Sequence, residues 1–97
     1  MIRIYAEHTG DRCRLFAQGH AEPGAERDAV CAGVSALTGA LILHARAVGA
    51  RYLRYHMRPG EIFFSCREGG ECFELVLRGL RAIAGRYPEH VKISAVS

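Results

Sequence analysis

Two residues near the N-terminal third of this sequence have side chains that together could cleave an amide bond. His20 lies in the run Gly19-His20-Ala21, and Cys31 follows after a short segment rich in small and charged residues. A cysteine thiolate is a nucleophile, and a neighbouring histidine can take up a proton and return it to a leaving group. The pair is therefore a candidate for covalent catalysis at a carbonyl carbon.

The predicted placement of Cys31 favours this chemistry. We expect Cys31 in the first turn of a long helix, where the positive end of the helix dipole favours the thiolate form and free N–H groups could receive an oxyanion. We expect His20 at the end of a strand, and the intervening loop is short enough to fold back onto the helix. Spacing alone leaves an alternative open, because free cysteine is often a small buried hydrophobe.

Two polar residues lie on the same predicted helix face as Cys31. Asp28 precedes it by three positions and Ser35 follows by four, which is the spacing of neighbours on a helix surface. Asp28 is either the N-cap, accepting an amide of Val30 or Cys31, or a group that orients His20 and shapes the site. Ser35 is either a small packing residue or a polar member of the site.

The composition predicts one small globular domain. The chain has 97 residues, of which 49% are hydrophobic and 24% charged, so disordered and fibrous classes are excluded. The N-terminus lacks the pattern of a signal peptide. The low-charge run Ala29 to Leu43 is shorter than the roughly 20 apolar residues of a membrane span. We therefore expect a cytoplasmic protein without membrane contact.

The formal charge of +3 is mild and comes almost wholly from arginine, Lys92 being the one lysine. It suits either an RNA-rich partner such as a ribosome or simply a solvated arginine-rich surface. The cysteines form no CxxC pair, so neither disulfides nor a zinc site with close ligand spacing is expected. The only zinc set that could be assembled is loose: His20, His44, Cys66 and Cys72. We expect His44 to be half-buried and Cys13, Cys66 and Cys72 to belong to the core.

Hydrophobic periodicity predicts the elements that must position these residues. Apolar residues recur at helical spacing through two segments, and shorter runs that alternate in polarity surround turn-forming residues. The expected order is β-β-α-β-β-α-β, an α+β fold in which two helices cover one face of a mainly antiparallel sheet. The predicted elements are strands Ile2–Glu7 and Arg12–Gln18, a helix from about Asp28 to Val48, strands Tyr52–Met57 and Ile62–Cys66, a helix from Glu71 to Tyr87, and a strand Val91–Val96.

Two segments resemble the signature of the ribosomal-processing cysteine protease family. They are Gly19-His20-Ala21 and, after a turn-rich loop, Asp28-x-Val30-Cys31-Ala32-x-x-Ser35-Ala36-Leu37. Length and order of elements are similar to that family over the whole chain. The resemblance implies an endopeptidase that removes the N-terminal extension of large-subunit ribosomal protein twenty-seven, cuts after a hydrophobic and often aromatic residue, forms a homodimer and needs no cofactor or metal.

The resemblance also implies a role for each site residue. Cys31 is the expected nucleophile and His20 its base. Gly19 takes the place of the glycine that lets the histidine loop move, and Asp28 and Ser35 are the polar companions in the helix. The loop Ala21 to Arg27 departs from the family pattern, being slightly short and without an aromatic residue, which bears on substrate preference. The alternative is a non-catalytic, arginine-rich module that binds a ribosome or RNA, which would have no need of a His–Cys pair.

Overall fold

The computed structural model describes residues 1–96 as five strands and two helices in the predicted order. In chain order the elements are β1 Ile2–Thr9, β2 Arg12–Gln18, α1 Arg27–Ala47, β3 Arg51–Arg58, β4 Glu61–Arg67, α2 Gly70–Arg86 and β5 Val91–Val96. The predicted α+β class is confirmed, with boundaries that differ by at most a few residues. Glycines at the tight turns, Gly10 and Gly60, adopt positive φ as hairpin turns require.

The strands form one sheet in the order β3-β4-β2-β1-β5. Three neighbouring pairs are antiparallel, and only β1 and β5 run parallel. The sheet is therefore mainly antiparallel, as predicted. Its parallel pair follows from α2, which carries the chain back so that β5 can join the free edge of β1.

One face of the sheet is buried and the other is open. Ile4 on β1, Leu15 on β2 and Phe64 on β4 are almost completely inaccessible to solvent, and Leu15 pairs directly with Phe64. Phe73 and Leu80 of α2 are equally buried, and α1 adds its own apolar residues to the same core. Both helices thus cover the same sheet face, which confirms the predicted two-layer arrangement.

Helix α1 begins one residue earlier than predicted. Its N-cap is Glu26, whose side chain makes no capping hydrogen bond, and the Arg27 N–H donates to the Gly24 carbonyl at 3.3 Å. Asp28 is consequently inside the first turn, so its interpretation as the N-cap is wrong. Cys31 is the fifth helical residue, at the start of the second turn, and the first-turn prediction for it is wrong as well.

By length and composition the whole of α1, Arg27–Ala47, is apolar enough to cross a membrane, because it extends beyond the low-charge run Ala29 to Leu43 at both ends. The helix packs against α2 and the sheet, and Val34, Leu41 and Ala45 are buried there. A core helix of a globular domain meets the same criterion, and α1 occupies that place in this fold.

Candidate active site

A groove of about 380 Å³ lies at one end of the sheet, where the β2–α1 loop, helix α1 and the β3–β4 turn meet. We call it the end groove. The loop supplies His20, α1 supplies Val34 and Ser35, and the remainder is the turn and adjoining strand ends. The full lining is Ile2, Ala17, His20, Val34, Ser35, Met57, Arg58, Pro59, Gly60, Glu61 and Ile62. The lining combines apolar side chains such as Val34 and Ile62 with polar ones such as Ser35 and Glu61.

The His20 ring rests against the backbone of Gly60. A Cβ added at Gly60 would lie 2.8 Å from His20 Nε2, so no larger residue fits without moving the ring. The same turn holds the loop through its main chain, since the Gly19 N–H donates to the Gly60 carbonyl at 2.9 Å. The β3–β4 turn therefore positions His20 through a ring contact and through a hydrogen bond of the neighbouring Gly19.

The start of the loop is also fastened to β1. The amino group of Met1 donates to the His20 carbonyl at 2.6 Å and to Glu22 Oε1 at 2.9 Å. This hydrogen bond and the positive charge of the amine hold the pKa of Glu22 below its usual value. Pro23, Gly24 and Ala25 beyond it are exposed. The loop therefore has a fixed base at His20 and Glu22 and an exposed tip.

His90 supplies the third fastening from the far end of the chain. Only 6% of the residue is exposed, and its Nδ1 accepts a hydrogen bond from the Glu22 N–H at 3.0 Å. Its Nε2 faces carboxylate oxygens of Glu26 at 3.8 Å and Glu89 at 3.7 Å. These three side chains have the spacing of a metal site. Because Nδ1 accepts from an amide, the neutral ring carries its proton on Nε2, which makes that nitrogen a donor to the carboxylates rather than a metal ligand.

Cys31 lies one helical turn before Ser35 and is half-buried, its side chain packed against the core. It does not line the end groove, and residues 1–96 contain no hydrogen bond between it and the His20 ring. Asp28 is exposed and likewise outside the groove. The structure thus brings His20 and Ser35 to the same groove, with Cys31 one turn earlier on the same helix.

Two of the other cysteines are poor candidates for a nucleophile. Cys13 and Cys66 face each other on the paired strands β2 and β4 and are buried in the core, as predicted. Burial, and secondarily the neighbouring Cys66, raises the pKa of the Cys13 thiol to about 11, and burial raises the pKa of Cys66. Both therefore remain protonated at neutral pH. Cys72 is half-buried and packs against the core from α2.

Comparison with known families identifies the chain. A family model described as cysteine protease Prp matches residues 1–92, which is nearly the whole sequence. The chain belongs to this family. As a Prp-family member it is a cysteine protease, which argues against the non-catalytic alternative. No curated protein matches the chain.

Solved structures share the fold of this Prp-family chain. An essential ribosomal processing protease Prp from Staphylococcus aureus, in complex with a substrate peptide, has a TM-score of 0.83 and 18% identity, with 98% of this chain and 99% of that chain covered. SMU.848 from Streptococcus mutans has a TM-score of 0.77 and 22% identity, with 100% and 96% covered. The Staphylococcus aureus protease with a covalently linked product peptide has a TM-score of 0.72 and 19% identity, with 98% and 99% covered. The five-strand, two-helix architecture is thus common to all three.

Several features of the Prp-family site are not visible in the sequence. Gly60 reads as an ordinary turn glycine, and His90 is remote from the loop it holds. His44, expected to be half-buried, is exposed on α1, so that prediction is wrong. Tyr52 is 72% exposed on edge strand β3. Only contacts between distant segments reveal these environments.

Proposed function

We propose that this chain is an endopeptidase in which Cys31 is the nucleophile and His20 the general base and acid. The observation that carries the proposal is that His20 and Ser35 line the same groove and that Ser35 lies one turn of α1 from Cys31. The burial and raised thiol pKa of Cys13 and Cys66 support the choice of Cys31 over these cysteines. Gly19, Asp28 and Ser35 are proposed as supporting residues.

In the proposed reaction the Cys31 thiolate attacks the carbonyl carbon of the scissile bond and forms a tetrahedral oxyanion. His20 then protonates the leaving amine, the C–N bond breaks, and an acyl-enzyme remains on the sulfur. A water molecule gives a proton to His20 as it attacks the thioester, which releases the acid product and regenerates the Cys31 thiolate with His20 protonated again. His20 contacts Gly60 in this structure, and catalytic hydrogen bonds often tighten only when substrate binds.

The proposed substrate is the N-terminal extension of large-subunit ribosomal protein twenty-seven, cut after a hydrophobic residue during ribosome maturation. A structural relative is a ribosomal processing protease with a bound substrate peptide. Val34, Met57 and Ile62 give the end groove apolar walls suited to a hydrophobic side chain. Cytoplasmic location follows from this substrate and is part of the proposal.

We also propose that the enzyme is a homodimer. Large apolar side chains remain exposed near the boundary of α1 and the edge strand β3: Leu43, Val48, Tyr55 and Met57. An exposed apolar patch of this kind is typical of an interface. Sedimentation of the pure protein measures the oligomeric state directly.

The test of catalysis compares cysteine variants on a precursor peptide that contains the extension and the cleavage site. Cys31→Ala should abolish cleavage with the fold intact, because alanine is smaller and favours helix. Cys31→Ser should also be inactive, since a hydroxyl is deprotonated far less readily than a thiol.

Cys72→Ala is the matched control, because Cys72 is also half-buried near a helix start. It should cleave at close to the parental rate. Cleavage at the parental rate by Cys31→Ala would show that the nucleophile is elsewhere. A parent that cleaves other peptides but not this precursor would overturn the substrate and leave the catalytic pair in place.

A further inference from the structure

The sheet face opposite the helices carries a row of rings across four strands. By strand register the row consists of Tyr5 on β1, Phe16 on β2, Phe63 on β4 and His56 on β3. Adjacent strands lie roughly 4.8 Å apart, so the row spans on the order of 15 Å. None of these rings is fully buried, and Tyr5 is 51% exposed. No helix covers this open face, so the rings are available to a partner.

Basic side chains surround this row. By register the open face carries eight of the 13 basic residues of the chain and two of the ten acidic ones, Glu7 and Glu61. The basic members are Arg3, Arg12, Arg14, Arg51, Arg54, Arg58, Arg67 and Lys92. The rest of the chain carries more acidic than basic residues. The net charge of +3 is small because the basic open face is partly balanced by acidic residues elsewhere in the chain.

The basic charge is concentrated in one groove beside Phe63, with a volume of about 610 Å³. We call it the arginine groove. Its charged lining is Arg12, Arg14, Arg51, Arg54 and Arg67, with Asp11 as the single acid. Arg67 pairs with Asp11 and Arg51 with Glu68, both at 2.9 Å, but Arg12 and Arg54 form no ion pair with any residue in 1–96. These two guanidinium groups are free to bind phosphates.

We propose that the open face binds single-stranded RNA, with bases stacked on the ring row and phosphates in the arginine groove. Unstacked bases pair with aromatic side chains on a sheet surface, whereas the bases of a duplex are hidden from it. Ser65 and Ser94 lie on the same face, where their hydroxyls can hydrogen-bond a ribose 2′-OH. A second copy of the chain fits poorly, because two such faces would repel each other.

Of the open-face residues named above, Arg58 and Glu61 also line the end groove, but the ring row and the arginine groove share no residue with it. The end groove lies under α1 and the histidine loop, whereas Tyr5, Arg12 and Arg54 point to the other side of the sheet and none lines it. RNA binding should therefore leave peptide cleavage possible. The inference does not depend on the proposed substrate, and cleavage serves in its test only as a control of folding.

The test is fluorescence anisotropy with a labelled eight-nucleotide single-stranded RNA at several salt concentrations. Tyr5→Ser should weaken binding at least about fivefold, the scale of one lost stacking contact. Arg12→Ser/Arg54→Ser should weaken binding and reduce the slope of log affinity against log salt by roughly 1.4, since each phosphate contact on a single strand contributes about 0.7. Peptide cleavage by these variants should stay at the parental rate.

The matched controls are Tyr55→Ser, a 42% exposed tyrosine on the helix side of β3, and Arg78→Ser/Arg81→Ser on the exposed side of α2. Neither should change RNA affinity. Equal binding of the same sequence as DNA or as double-stranded RNA would overturn the proposal, as would equal competition by an acidic peptide. A change of sedimentation in Tyr5→Ser without a change in RNA affinity would identify the face as a contact between copies.

Discussion

Gly19 is the residue at which the histidine loop is least able to accept a side chain. Its φ is +103°, and an added Cβ would overlap the Met1 carbonyl oxygen, a main-chain atom that cannot rotate away. Gly19→Ala must therefore shift the loop relative to β1. That shift would lengthen or break two hydrogen bonds, from the Gly19 N–H to the Gly60 carbonyl and from the Met1 amine to the His20 carbonyl.

The loss of stability expected for Gly19→Ala has two parts, and a control at the other end of the loop separates them. Gly24 has φ +142° and nothing within 4 Å of an added Cβ, so Gly24→Ala should cost only the backbone strain of about 1–3 kcal/mol. Gly19→Ala carries similar strain and also loses one or both hydrogen bonds, each worth about 1 kcal/mol. We expect Gly19→Ala to be less stable than Gly24→Ala by roughly 1–2 kcal/mol, and more if the overlap is not relieved.

Urea unfolding followed by circular dichroism measures both variants, and precursor-peptide cleavage is measured where each is fully folded. We expect Gly19→Ala to lose activity beyond its unfolded fraction, because His20 is the next residue. The resemblance assigns Gly19 only a role in loop movement, whereas its close approach to Met1 adds a cost in stability. Equal stability of the two variants would refute the close-approach argument.

Two further predictions concern the core and the thiols. Leu41→Ala should cost about 2–5 kcal/mol in urea unfolding because Leu41 is 3% exposed. Leu75→Ala on α2, 70% exposed and outside the proposed dimer patch, should cost under about 0.5 kcal/mol. Similar losses in the two variants would mean that α1 is not packed as described. At pH 8, iodoacetamide should label Cys31 in the native protein but Cys13 and Cys66 only after unfolding. Burial raises the pKa of Cys13 and Cys66 and keeps both thiols protonated and shielded. Labelling of Cys13 in the native protein, located by peptide mass spectrometry, would contradict its burial.

The order of elements could be predicted because its signals are local. The alternation of Ile2, Ile4 and Ala6 and the helical spacing of Val34 and Leu41 need only a few neighbouring residues to be recognised. The start of α1 was misplaced because it depends on a turn at Gly24 rather than on a capping side chain. Without a Ser, Thr, Asp or Asn cap, the sequence offered no reason to begin the helix at Arg27.

The candidate site was only partly predictable because its support comes from distant segments. The motif pointed to His20, Ser35 and Cys31, and His20 and Ser35 do share a groove. The contact of His20 with Gly60 and the hydrogen bond of the Glu22 N–H to His90 depend on the positions of β4 and β5 in the sheet. Gly60 and His90 are ordinary residue types at their positions in the sequence, so neither periodicity nor spacing predicts their contacts with the loop.

The second-turn position of Cys31 is compatible with its proposed use of the helix end. In an α-helix each Cα–Cβ bond is tilted toward the N-terminus, so a side chain covers the turn that precedes its own Cα. The Cys31 side chain is therefore directed toward the first turn of α1, where Asp28 and Ala29 carry N–H groups without an intrahelical partner. A carbonyl attacked by this sulfur would develop its negative charge near those donors. The loop held at Glu22 by Met1 and His90 leads into the same helix end, so its conformation sets the position of His20 relative to these donors.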